Sequence, residues 1–105
     1  MTIRSSTPLP TGMTYSYATA AVLTVAEVAL MRTATMAAGA SVLHDSVAID
    51  FRSVTQVDAA AIAPLTSLIA LLRALRVTVH LYNIPGPANL ALQPVLTLAH
   101  SVSVV

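Results

Sequence analysis

Two aspartates, Asp50 and Asp58, and three histidines, His44, His80 and His100, are the residues of this chain whose types could do acid–base or metal chemistry. Their spacing argues against both. The histidines are scattered, with no second ligand at a helical or hairpin offset from any of them, so a zinc site is not expected. The aspartates could be imagined as a general acid and base. Asp50, however, closes an apolar strand-like run, and Asp58 stands where an N-cap accepts hydrogen bonds from the free N–H groups of a helix. Three glycines, Gly12, Gly39 and Gly86, are too few and too far apart for a phosphate loop, a dinucleotide fingerprint or a nucleophile elbow. The chain reads as a non-enzyme, with no catalytic, cofactor-binding or metal residues.

Composition narrows the class. At 105 residues there is room for one domain. Hydrophobic residues make up 56% and charged residues 9%, far from a disordered composition. The longest uncharged apolar run, residues 59–72, contains Pro64, Thr66 and Ser67 and is too short to span a bilayer, so it reads as a buried helix. Arg4 is followed by Ser5, Ser6, Thr7, Pro8 and Pro10 where an export signal needs an apolar stretch, and a cytoplasmic protein is expected. Five unclustered arginines and a net charge of +1 leave no footprint for nucleic acid. An apolar chain with so few surface charges points to a surface covered by another protein.

The elements that position these residues follow from periodicity and punctuation. Residues 1–12, with Pro8, Pro10 and Gly12, read as a loose tail, and residues 13–105 as the domain. Met13–Tyr17 alternates as a half-buried strand does. Thr24 and Glu27 form a capping box, Leu23 and Val28 a hydrophobic staple, and the helix they open should run to about Ala38, with Gly39 left-handed at its end. His44-Asp45-Ser46 reads as a turn. Val47–Phe51 is apolar enough for an interior strand covered on both faces. After Asp58, Ile62, Leu65, Leu68, Ile69, Leu72 and Leu75 recur at three- and four-residue steps as a core stripe. Ala63, Thr66, Ser67, Ala70 and Arg73 occupy the opposite face. Val77–Ile84 is the next strand, Pro85-Gly86-Pro87 presets a helix start near Ala88, and Pro94 should kink or end that helix. Residues 101–105 alternate as a last strand. Strands and helices in turn give an α/β fold with a mixed, mostly parallel sheet.

The run Val47-Ala-Ile-Asp-Phe-Arg-Ser-Val-Thr-Gln-Val-Asp58, the helix opening Ala59-Ala-Ala-Ile-Ala-Pro-Leu65 and the strand Val77-Thr-Val-His-Leu-Tyr82 together resemble a STAS domain. The resemblance spans residues 14–105, is most specific over 47–84, and implies the STAS (SpoIIAA-like) fold. Such domains act by docking on a partner. The family pattern is a strand ending in Asp, then a loop, then Asp-Ser/Thr-Ser/Thr-Gly-Leu-Gly opening the second helix. This chain has Asp58-Ala59-Ala60-Ala61-Ile62-Ala63 there, so the hydroxyl that a partner kinase phosphorylates in anti-sigma-factor antagonists is missing. Ala61 stands in place of the usual glycine, and Pro64 implies a helix that effectively starts after Asp58. A single strand fits between Gly12 and Thr24, where the family has a hairpin.

The short C-terminal region is similar to the small MlaB-type STAS subunit of Mla phospholipid-transport complexes, which maintain outer-membrane lipid asymmetry. That resemblance implies an accessory subunit that binds the ATPase of an ABC transporter and reaches the membrane only through that ATPase and its permease. The partner-binding residues it implies are Asp58, Ala59, Ala60, Ala63, Thr66, Ser67, Ala70 and Arg73. Two other readings stay open: an antagonist bound to an anti-sigma kinase but lacking the phosphoacceptor, and a STAS domain holding a small ligand near a helix N-terminus.

Overall fold

A computed structural model describes residues 13–40 and 44–104. The expected tail over 1–12 and Val105 lie outside them. The described chain runs β1 (Met13–Ala18), β2 (Val22–Leu23), α1 (Val25–Gly39), β3 (His44–Asp50), β4 (Gln56–Val57), a 3-10 turn (Ala59–Ala61), α2 (Ile62–Ala74), β5 (Thr78–Ile84), α3 (Gly86–Ala91), α4 (Gln93–Leu96) and β6 (Ser101–Val104). The main sheet has the order β1-β3-β5-β6, a second sheet joins β2 to β4, and every ladder among the described residues is parallel. The α/β class and the parallel crossovers expected from the sequence are present.

Each strand of the main sheet is added on the same side of the one before it. Right-handed crossovers then carry all their helices to one face. Tyr15, Tyr17, Val47, Ile49, Val79 and Leu81 lie on that face and join the core with Met31, Leu65, Leu68, Ile69 and Leu72 of α1 and α2. The opposite face carries Thr14, Ser16, Ala48, His80 and Tyr82 in register. This corrects the expectation that β3 is covered on both faces. Its apolar run is long because β3 is central, with β1 and β5 on either side, and Ala48, on the face away from the described helices, is buried too. Cross-strand hydroxyls satisfy one another there, Thr14 with Ser46 at 2.6 Å and Ser16 with Tyr82 at 2.9 Å.

Several local expectations need correction. Residues 44–46 are strand, not turn, because Ser46 pairs with both Thr14 and Thr78. A second short strand, β2, follows β1. Gly39 ends α1 without leaving the right-handed region, since no glycine among the described residues has a positive φ. Its small size answers a close approach instead: a Cβ there would sit 3.2 Å from Val77 Cγ2. Left-handed geometry falls on Arg76 (φ 65°), which closes α2 with paired bonds from Arg76 N–H to the Arg73 carbonyl and from Val77 N–H to the Leu72 carbonyl. That is the Schellman arrangement, with buried Leu72 and Val77 as its apolar pair. Leu75, counted in the core stripe from its spacing, is 52% exposed because α2 has ended there.

The capping box forms by half. Thr24 Oγ1 accepts the Glu27 N–H at 3.1 Å, but the Glu27 carboxylate turns to β1, accepting from Tyr17 Oη at 2.9 Å and Ala20 N–H at 3.0 Å. Burial, that hydrogen bond and the charge of Glu27 raise the Tyr17 pKa from 10.0 to about 12. A phenol that holds its proton more tightly when folded stabilises the fold fully below about pH 10 and loses that contribution as pH climbs to about 12. Urea midpoints measured across this interval should fall, and Tyr17→Phe should flatten the fall. An equal slope in both proteins would place the alkaline transition elsewhere.

Candidate functional site

The turn before α2 is fixed by its neighbours rather than by glycine. Asp58 N–H donates to the Leu23 carbonyl at 2.9 Å, and Thr55 N–H to the Ala21 carbonyl at 2.8 Å, so β2 holds the entering chain. Asp58 is extended (φ −77°, ψ 127°), its Oδ1 accepts the Ala60 N–H at 3.0 Å, and its carbonyl accepts the Ala61 N–H at 2.9 Å. A 3-10 turn over 59–61 brings in α2 at Ile62, which places Pro64 in the first turn, where a missing N–H costs nothing. Ala61 is fully buried at φ −80°, so alanine serves where a left-handed glycine is not needed. Asp58, Ala59 and Ala60 are exposed.

Along α2 the two faces separate as their spacing requires. Leu65, Leu68, Ile69 and Leu72 are sealed in the core, while Ala63, Ser67 and Ala70 are exposed. With Ala59 of the 3-10 turn these small residues make a row, whose α2 part from Ala63 to Ala70 extends roughly 10 Å at 1.5 Å per residue. Thr66 is half-buried, and its hydroxyl donates to the Ile62 carbonyl at 2.9 Å. Arg73 is exposed, but its guanidinium donates to the Leu98 carbonyl between α4 and β6. The structure thus brings Asp58, Ala59, Ala60, Ala63, Ser67 and Ala70 onto one accessible, nearly uncharged surface. Thr66 and Arg73 border it with their polar groups engaged within the chain.

The other chemistry-bearing residues have structural partners. Asp50 accepts from the Arg52 N–H at 2.9 Å and from Asn83 Nδ2 at 3.1 Å, and the Arg52 guanidinium lies 3.6 Å away. It pins the loop after β3 to a bulge in β5, where Asn83 takes φ 57°. His80 pairs with Ser101, and His100 accepts a backbone N–H from Val79. No cluster of metal-ligating side chains exists among the described residues, and no described helix is long and apolar enough to cross a membrane. A cleft of about 470 Å³ opens between residues 54–57 and α3, walled by Pro85, Pro87 and Ala91. None of its lining side chains is charged, so an anionic ligand would find no countercharge there.

Sequence reasoning missed the Tyr17–Glu27 bond, the Arg76 cap and the role of His100. The first and last join residues 10 and 21 positions apart, beyond any helical or strand period, and leave no local signal. Comparisons with models of protein families, with curated proteins and with solved structures found no match to this chain.

Proposed function

We propose that the chain is a non-catalytic accessory subunit that docks on the cytoplasmic ATPase of a phospholipid-transporting ABC complex. The observation that carries this reading is the exposed row Ala59, Ala63, Ser67 and Ala70, led by the Asp58 turn on a helix whose opposite face is sealed. Small side chains let a second backbone approach closely, and with few charges to desolvate the cost of covering this surface is low. The resemblance to STAS domains supplies the partner class, and the parallel β–α order is compatible with it. The hydroxyl-free turn favours a constitutive contact over one switched by phosphate. In this reading the protein is cytoplasmic and lies at the inner membrane through its partner.

Co-expression with the ABC ATPase and permease of a phospholipid-transport system from the same host tests the proposal. The chain should co-elute with the ATPase on gel filtration and gain solubility from it. Elution of the chain alone at micromolar concentration, with the ATPase present and folded, would overturn the reading.

A further inference from the structure

His100 belongs to the ladder between β5 and β6, and its imidazole takes the place of a peptide carbonyl in it. The Val79 N–H donates to His100 Nδ1 at 3.1 Å, and the His100 N–H donates to the Val79 carbonyl at 2.8 Å. A backbone N–H can only donate, so Nδ1 carries a lone pair and the ring proton sits on Nε2. The next pair along the ladder, His80 and Ser101, is also joined through side chains, His80 Nδ1 lying 2.6 Å from Ser101 Oγ. β6 is the edge strand of the sheet, held along one side by its ladder to β5. All four of its residues are exposed, Val102 at 39% and Val104 at 47%, whereas Leu81, opposite Val102, is buried.

We propose that His100 is a proton-sensitive latch for β6. The neutral ring fastens the strand to β5. An imidazole takes up its proton between about pH 5 and 8. In His100 that proton would point a second N–H at the Val79 N–H, turning a hydrogen bond into a donor–donor clash. The titratable and charged groups on the neighbouring elements are His80 and Tyr82 of β5 and Arg73 of α2, whose guanidinium holds the Leu98 carbonyl, with Arg76 between α2 and β5. The sequences of β5, β6, α2, α3 and α4 contain no carboxylate, so these elements offer an imidazolium no counterion. Release of β6 would move the sheet's edge to β5. The latch is independent of which partner docks on α2.

Amide hydrogen exchange of the whole chain is followed by NMR at about pH 7.5 and about pH 5.5, within the range over which an imidazole side chain changes charge. Protection factors for Val79 and the β6 amides should fall roughly tenfold on acidification, while Ile49 in β3 keeps its protection. His100→Asn supplies an acceptor oxygen that takes no proton, so the fall should vanish in it and persist in His80→Asn. Nitrogen shifts of the His100 ring should report the Nε2–H tautomer at the higher pH. An Nδ1–H tautomer, unchanged Val79 protection in the natural chain, or an equal fall in His100→Asn would overturn the latch.

Discussion

Ala60→Arg should abolish binding to the proposed ATPase partner while the domain stays folded. Ala60 is exposed in the 3-10 turn, and its backbone N–H donates to the Asp58 carboxylate. An arginine keeps that bond and projects into solvent. Its charge beside the positive end of a helix costs roughly 0.3–1 kcal/mol, which an ordinary stability margin absorbs. At the centre of a packed interface the same guanidinium would be buried without a partner, at a cost of several kcal/mol. The variant should therefore keep its circular-dichroism spectrum and most of its melting temperature and lose co-elution with the ATPase. Unchanged affinity would move the interface away from this turn. Unfolding would mean that the turn supports the core more than its exposure implies.

The largest effect on stability should come from Phe51→Ala, about 3–5 kcal/mol. Phe51 is fully buried where β3 hands over to the loop that leads to the Asp58 turn. Its N–H donates to the Tyr82 carbonyl and its carbonyl accepts from Val54, both at 3.0 Å, so the backbone cannot readily collapse into the space left behind. Its neighbour makes the control. Arg52 has a side chain 75% exposed and a 3.6 Å contact to Asp50, so Arg52→Ala should move the urea midpoint by less than about 0.5 kcal/mol. Equal losses in the two variants would contradict this placement of the core.

Asp58, Ala59, Ala60 and the stripe that sets Ala63, Ser67 and Ala70 outward were legible because their causes are local. An N-cap acts within three residues, and a helix face follows from a 3.6-residue period. The break before Pro94 was legible for the same reason, since a proline acts on its own turn. β3 from Val47 and β5 announced themselves by apolar content, β1 and β6 by alternation, and the succession of strands and helices led to parallel pairing.

What the chain's neighbours in space decide could not be read this way. Thr24 and Glu27 are spaced for a reciprocal box, yet Glu27 found better donors in Tyr17 and Ala20 once β1 was beside it. Gly39 looked like a left-handed cap, but Val77 needed its missing side chain, and Arg76 took up the positive φ. Val47–Phe51 looked covered on both faces because composition registers burial without its source. Among Thr66, Ser67 and Arg73, the sequence cannot tell which polar group is engaged at home. Thr66 reaches back to its own helix, Arg73 reaches Leu98, and Ser67 stays open. The sequence by itself determined α1, α2, the apolar core of β3 and β5 and the outward row on α2, because those depend on neighbours along the chain. The tertiary structure alone decided the one-sided sheet, the anchored turn and the histidine in the β5–β6 ladder, because each is a contact between segments whose separation no local period encodes.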